Sequence, residues 1–499
     1  MSFDMMAPLM FGGLVVMLLI GYPVAFSLAA VGLLFGVVGI VHGAIEPALL
    51  QALPERVLGI MANSTLLAIP FFTFMGLILE RSGMAEDLLD TIGQCFGRIR
   101  GGVAYAVVFV GALLAATTGV VAASVLAMGL ISLPVMMRYG YSNRLSTGVI
   151  AASGTLAQII PPSLVLIVLA DQMGASVGDF YEGALFPGLT LAFAYGVWVF
   201  IVSIVKPDAA PGCPPEARTL YGRQLVAKVF TSMIPPLVLI FLVLGTIFLG
   251  VATPTEGGAM GATGAILMAL ARRKLSFSLL RQALESTALM TSFVMFILVG
   301  STVFSLVFRG VDGDLWVERL LTSVPGGALG FLVVVNVLIF FLAFFLDYFE
   351  IAFIMVPLLT PVAQKLGIDI VWFGVLLAIN MQTSFLHPPF GFALFYLRSV
   401  APKSVKTSDI YWGAIPFVCI QVLMIATVII FPGMVTGNIS KAAGAIKGSG
   451  ADELLRQLGG APAAPSASDK GAGGKGAAPA APSKSDDVGS ELERALKGQ

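Results

Sequence analysis

The chain has 499 residues, of which 58% are hydrophobic and 11% charged, with 28 Lys and Arg balancing 28 Asp and Glu. Soluble domains carry about 25% charged residues, so this composition excludes a soluble globular protein, and the absence of a basic stripe excludes nucleic acid as a partner. Cys95, Cys213 and Cys419 are too few and too scattered for a disulfide framework or a metal cluster.

From the N-terminus, apolar runs at 8–20 and 24–41 flank Gly21, Tyr22 and Pro23. Together they exceed the ~20 residues that span a bilayer, so they read as a tight hairpin of two short spans, without a cleavable signal peptide. A polar stretch at 46–56 precedes a span at 62–79. Residues 80–100 read as an amphipathic surface helix with Leu88, Leu89 and Ile92 on one face. The apolar segment 102–137 is interrupted at Thr117, Thr118 and Gly119. Arg98 and Arg100 before it, and Arg138 and Arg144 after it, put both ends on the cytoplasmic side. That favours a re-entrant hairpin of two half-length helices over one long tilted span.

A helix over 145–171 follows, broken at Pro161 and Pro162, because each proline lacks an N–H and clashes with the preceding turn. At membrane depth such a break is tolerated only where the freed carbonyls line a cavity or find protein partners. Asp171, Asp179 and Glu182 mark the next loop as external, and a span at 184–205 returns inward. The Pro-rich, basic connector 206–228 is expected to be cytoplasmic.

The second half starts with a span at 233–250. Thr253, Pro254, Thr255 and Glu256 turn the chain, Glu256 reading as a helix-start residue. The chain returns over 258–271 to Arg272, Arg273 and Lys274. An interfacial helix at 275–284 and a span at 287–308 lead out to Asp312, Asp314 and Glu318. A second hairpin is expected at 329–361, with its tip at Phe345, Leu346 and Asp347. A second broken helix at 371–399, interrupted at Pro388 and Pro389, runs inward to Arg398, Lys403 and Lys406, and a last span covers 412–431. The tail 436–499, rich in Ala, Gly, Pro, Ser and Lys, is expected to be disordered.

The halves repeat. Pro134 and Pro361, Gly140 and Gly367, Pro161 and Pro388, and Pro162 and Pro389 are each 227 positions apart. Asp179 and Asp409, Tyr181 and Tyr411, and Gly183 and Gly413 are each 230 apart, so a three-residue loop insertion separates the two offsets. The loop after the first broken helix is acidic and its counterpart basic, which makes the repeat inverted. The expected fold is therefore an all-α multi-spanning membrane protein, an inverted repeat of residues 1–205 and 229–435, with two re-entrant hairpins and two broken helices. Paired broken helices at matching positions point to a transporter's binding site.

An enzyme reading finds little support: the two histidines, His42 and His387, form no His-Glu-x-x-His pair, and no Gly-x-Ser-x-Gly elbow is present. Na⁺ is a hard cation served by carbonyl, hydroxyl and amide oxygens. One candidate cage joins the first tip (Thr117, Thr118, Gly119) to the first break (Ser153, Gly154, Thr155, Ile159, Pro161). The other joins Leu346 and Asp347 to Asn380, Gln382, Thr383, Ser384 and His387. For each hydroxyl the alternative is a bond back to a helix carbonyl. Asp347, an acid at membrane depth, reads as functional or as a hydrogen-bonding support of the tip, and His387 as a substrate or proton ligand or as a helix cap. The half-helix N-termini at Ser163 and Phe390 suit an anionic substrate such as a carboxylate. Ser153, Ser163, Asn380, Gln382, Ser384, His387 and Phe390 are the candidate substrate residues.

These residues also carry a resemblance. Ile160-Pro-Pro-Ser163, Arg138-Tyr-Gly-Tyr141, Thr253-Pro-Thr-Glu256, Pro357-Leu-Leu-Thr-Pro361, Lys365-Leu-Gly-Ile-Asp369 and His387-Pro-Pro-Phe-Gly391 together resemble the large membrane subunit of TRAP (tripartite ATP-independent periplasmic) transporters, over about residues 5 to 435. The resemblance implies an elevator-type, Na⁺-driven importer of the bacterial inner membrane, of the ion-transporter-superfamily architecture. It would work with a small four-helix membrane subunit and a periplasmic substrate-binding protein. It places Na⁺, the coupling ion and sole metal, with no other cofactor, at Thr117 to Gly119, Gly154, Ile159 and Pro161, and at Leu346, Asp347, Thr383 and His387. The second break departs from the family's Gly-x-x-Thr-Pro-Pro, reading Ser384-Phe-Leu-His387-Pro-Pro, and this version resembles the branch linked to 2-oxo acids, lactate or aromatic carboxylates. A stand-alone Na⁺/dicarboxylate symporter is the alternative.

Overall fold

The computed structural model describes residues 5–437 and 439, apart from 98, 119, 120 and 215–220. Every regular element among the described residues is helical. Helix α1 (Met6–Ile20) ends at Gly21, whose φ of 89° lies in the left-handed region that favours glycine, and Pro23 opens α2 (Val24–Val41). The polar stretch beyond, to which the sequence assigned no element, folds as two short helices, α3 (Ala48–Gln51) and α4 (Leu53–Met61). Then come α5 (Ala68–Arg81) and α6 (Met84–Phe96).

Residues 102–138 form two helices, α7 (Gly102–Thr118) and α8 (Val121–Arg138). At 17 and 18 residues, each is about 26 Å long, longer than the half-length arms expected. Gly119 and the side chains of Thr117 and Thr118 lie outside the described residues. The first broken helix comprises α9 (Asn143–Thr155), a 3₁₀ turn at Leu156–Gln158 and α10 (Leu164–Met173), with a cis Pro161–Pro162 bond between them. Helix α11 (Val177–Val205) returns.

In the second half α12 (Gly222–Phe248) begins inside the expected connector, so that Arg223 and Lys228 are helical, and Lys228 pairs with Asp87 at 3.5 Å. Helix α13 (Pro254–Ala271) starts at the expected turn, with a capping box between Thr253 and Glu256. The interfacial helix and the span expected at 275–308 are one 34-residue helix, α14 (Phe277–Gly310). No proline interrupts it, and its polar residues near Arg281 and Glu285 bond along the helix rather than ending it. Helix α15 (Gly313–Thr322), absent from the sequence reading, bends by 114° into α16 (Gly327–Leu342). The tip then leads to α17 (Tyr348–Ile354) and α18 (Val356–Lys365). The second broken helix is α19 (Ile370–Met381), a 3₁₀ turn at Gln382–Phe385, a cis Pro388–Pro389 bond and α20 (Phe392–Val400); α21 (Thr407–Ile430) follows. Six described helices are long and apolar enough to cross a membrane, or seven if the bent pair counts as one span.

Two expectations change. Helix α6, expected to lie on the surface, packs on α7 and α12 and buries Leu88, Leu89 and Ile92 within the chain. The tail was expected to begin at Thr436, but residues 433–437 are helical and Val435 is buried; Gly183 lies so close that an added Cβ would be 3.0 Å from Val435 and 3.1 Å from Ile439. The rest of the tail lies outside the described residues.

The packing joins the halves crosswise. The first broken helix, through α9, packs on α21, and the second, through α19, packs on α11. A Cβ at Gly413 would lie 2.2 Å from the Arg144 carbonyl oxygen, and one at Gly183 would lie 3.1 Å from Val371, 227 residues beyond Arg144. The helix starts match as well: Ser142 caps α9 by accepting from the Leu145 amide at 3.2 Å, and Asp369, 227 residues on, caps α19 by accepting from Trp372 at 2.8 Å. Helix α14 sits against α2 and α5, with small residues at the crossings: a Cβ at Gly300 would be 2.4 Å from the Ala25 carbonyl oxygen.

Candidate functional site

At the first break, Ser153, Thr155, Gln158, Ile159 and Ser163 are all fully or almost fully buried. Gly154 is required by packing, since a Cβ there would lie 2.3 Å from a Val125 methyl on α8. The Thr155 hydroxyl donates to the Ala152 carbonyl at 2.8 Å, and that of Ser163 to the Gln158 carbonyl at 2.6 Å, the back-bonding expected of hydroxyls in a helix. Ser153 Oγ and both side-chain amide atoms of Gln158 have no hydrogen-bond partner among the described residues. Buried polar atoms are rarely left so, and their oxygens are what a hard cation takes.

At the second break, the Thr383 and Ser384 hydroxyls donate to the carbonyls of Asn380 and Met381, each at 2.7 Å. Asn380 donates to Asn336 on α16, at 2.7 Å to its carbonyl and 2.9 Å to its side-chain oxygen. Gln382 Nε2 donates to Thr155 Oγ1 at 3.0 Å, so the two breaks are bonded through residues 227 positions apart. His387 is buried in an aromatic cleft, stacked on Phe344 with centroids 4.2 Å apart and edge-on to Phe340 at 4.3 Å. Phe390 is 50% exposed and packs on Phe345 of the tip.

The second tip is held by its own carboxylates. Asp347 caps α17, accepting from the Tyr348 amide at 2.6 Å, and Glu350 Oε2 accepts from the Asp347 amide at 3.0 Å. Glu350 thus closes the tip through the Asp347 backbone amide, not through its carboxylate. Its signal was present as Asp-x-x-Glu, the spacing of a capping box.

A cavity of about 530 Å³ gathers these elements. Val121 and Ala122 reach it from beyond the first tip, Leu164 from beyond the first break, Asp347 and Glu350 from the second tip, Phe385 and Phe392 from either side of the second break, and Tyr396 from α20. Ser286, Met290 and Phe293 of α14 form the opposite wall. Of the described residues singled out from the sequence, Asp347 lines this cavity; Leu346 is buried in the same tip, and those named at the two breaks do not line it. Glu350 was missed although its capping-box spacing is local, and Tyr396 and Ser286 were missed because only the fold brings α20 and α14 to the tips.

Residues 11–434 match the family model described as "Tripartite ATP-independent periplasmic transporter, DctM component". The chain is 30% identical over 390 residues to a Pseudomonas aeruginosa protein described as the C4-dicarboxylate TRAP transporter large permease DctM, covering 78% of this chain and 89% of that one. It is 28% identical over 417 residues to a Vibrio cholerae sialic acid TRAP transporter large permease, SiaM, covering 83% and 94%. The fold is similar to the crystal structure of the Alcanivorax borkumensis YdaH transporter, with a TM-score of 0.57 at 15% identity, covering 78% of this chain and 90% of that one. The chain thus belongs to the DctM family, as a multi-pass TRAP transporter large permease of the bacterial inner membrane, and is a transporter rather than an enzyme.

Proposed function

We propose that this permease imports a small organic anion, a carboxylate, using a Na⁺ gradient, and that the tips and broken helices move as an elevator past a scaffold built on α14. Family membership implies two partners, a small membrane subunit and a periplasmic binding protein. The observation that carries the proposal is the 530 Å³ cavity where the second tip, both breaks and α14 meet, with Asp347 and Glu350 in its wall. Acidic residues at membrane depth are expensive and mark ion paths. Carboxylate oxygens are natural Na⁺ ligands, and a bound cation beside them would offset their charge for an incoming anion. The unpartnered Ser153 and Gln158 oxygens supply the same chemistry at the first break.

The cross-packing of α9 on α21 and α19 on α11, added to their contacts within their own halves, supports motion of the two broken helices as one body. Relatives are described as permeases for C4-dicarboxylates, sialic acid and isethionate, all anions, which supports the charge class of the substrate. The test is uptake into proteoliposomes containing the full chain, the small subunit and the binding protein, with carboxylates screened under an imposed Na⁺ gradient. Uptake requiring both Na⁺ and the binding protein is expected. Uptake without the binding protein would favour a stand-alone symporter, and uptake indifferent to Na⁺ would overturn the coupling.

A further inference from the structure

A second cavity, of about 350 Å³, lies toward the other end of α14. The first cavity uses Ser286 to Phe293 of that helix and the second uses Leu298, Ser301, Thr302, Ser305 and Arg309. The gap from Phe293 to Leu298 is about 7.5 Å along the axis. It is closed by the buried Val294 and Ile297, and Ser301 Oγ donates to the Phe353 carbonyl of α17 at 2.6 Å. The far wall comes from Arg56 on α4, Asn63, and Asp171 and Gln172 at the end of α10.

Charge within this cavity is unbalanced. Asp171 is already engaged at both carboxylate oxygens, accepting from Asn63 Nδ2 at 2.6 Å and from Gln172 Nε2 at 3.0 Å. The guanidinium groups of the exposed Arg56 and Arg309 make no hydrogen bond or ion pair among the described residues, whereas those of Arg144, Arg272 and Arg281 each meet a carboxylate. Helix-dipole compensation explains an arginine in the last turn of α14. It does not explain Arg56, nor why both guanidinium groups line one polar cavity. A guanidinium presents paired N–H donors that match a carboxylate or sulfonate face.

We propose that this cavity is an anion-capture site, in which Arg56 and Arg309 take the acidic group of a small organic anion before it enters the transport cavity. The direction of travel rests on the import reading; the site itself does not. The sequence places Asp171 and the end of α14 on the external side, so an arriving anion meets this cavity first, and the Asn63–Asp171 bond joins the end of the first broken helix to the segment preceding α5 beside it.

The test introduces Ser305→Cys into a chain carrying Cys95→Ser, Cys213→Ala and Cys419→Ser, and measures labelling by a membrane-impermeant maleimide applied to spheroplasts. Succinate, pyruvate, sialic acid and isethionate are compared with chloride at equal ionic strength. Labelling from outside, slowed by at least one organic anion, is expected, with the protecting concentration raised about tenfold by Arg56→Gln or Arg309→Gln, the factor for one lost charge-assisted contact. As a second reading that needs no substitution, phenylglyoxal modification of Arg56 and Arg309 in the unaltered chain, followed by mass spectrometry, should be slowed by the same anion. Protection by none of the four anions in either assay, or protection indifferent to both arginine substitutions, would overturn the site. Na⁺-driven uptake without protection overturns this inference alone. Protection without uptake under any gradient supports the site and overturns the import reading.

Discussion

At the first break Ser153 and Gln158 are buried without partners, whereas 227 residues on their counterparts are Asn380, which holds Asn336, and Phe385, which lines the cavity. Ile160 is matched by His387, clasped between Phe340 and Phe344, and Ser163 by the half-exposed Phe390. At the tips the contrast is stronger: by the same offset, Asp347 and Glu350 stand where the first half has Val120 and Ala123. What the halves share is backbone: caps at Ser142 and Asp369, a 3₁₀ turn before each cis Pro–Pro bond, and glycines at the crosswise contacts. Duplication thus explains the frame, while the acidic and aromatic chemistry of the cavity belongs to one half.

If the asymmetry is functional, removing it should cost most at the tip. Asp347→Asn keeps the shape but removes the charge, and should lower Na⁺-driven uptake by about 10- to 100-fold, the equivalent of losing a charged hydrogen bond of about 1.5–3 kcal/mol. Glu350→Gln should do less, because its amide oxygen can still accept from Asp347. Uptake and its Na⁺ dependence unchanged in both variants would show that the carboxylates only hold the tip.

The bond between Gln382 and Thr155 is where the halves meet, so it tests whether they act as one body. Thr155→Val alone leaves the buried Gln382 amide nitrogen unpaired, at about 1–3 kcal/mol, and should lower the unfolding temperature in detergent by a few degrees, whereas Gln382→Met leaves the Thr155 hydroxyl bonded to the Ala152 carbonyl and should cost less. The double variant should recover much of that loss. Strictly additive losses would mean that the bond does not couple the breaks.

The breaks, the second tip and the turn at Thr253 were legible because Pro, Gly and capping residues act locally: two prolines stop a helix whatever surrounds them. Boundaries set by packing were not. Arg281, Gln282 and Glu285 look like a surface helix, yet Arg81 of α5 donates across to Gln282 and Ser286, and α14 continues through them. Helix α6 is amphipathic on paper, but its apolar face is covered by α7 and α12, which sequence order does not reveal. Within the site, Asp347 could be found as a charge in an apolar run, and Glu350 was open to the same argument. Ser286, Tyr396 and Arg309 could not, because their meaning depends on which end of which cavity they face.

His387 offers a smaller test of the same contrast. Replacing it by its counterpart, His387→Ile, removes the stack on Phe344 and the edge contact with Phe340, each worth about 0.5–1.5 kcal/mol. A modest drop in unfolding temperature is expected, with the Na⁺ dependence of uptake retained. A shift in the Na⁺ concentration for half-maximal uptake would instead make the imidazole part of the ion site.

The smallest expected effect lies where the second half is better capped than the first. Helix α2 starts at Pro23 with no side-chain cap, whereas α13 starts with Thr253 Oγ1 accepting from the Glu256 amide at 3.3 Å and Glu256 Oε2 accepting from the Thr253 amide at 2.8 Å and from its hydroxyl at 2.9 Å. Thr253→Ala should cost about 1 kcal/mol or less at this exposed site. The Thr253 amide and hydroxyl hold the Glu256 carboxyl below its ordinary value of 4.5. A carboxyl whose folded value is depressed contributes its stability above the unfolded value and loses it as the pH falls through the folded one. The gap in unfolding temperature between the wild type and Thr253→Ala should therefore be steady at neutral pH and narrow below about pH 4.5. A gap that stays constant down to pH 3 would assign the cap to the threonine hydroxyl alone, and would leave the second helix start hardly better secured electrostatically than the first.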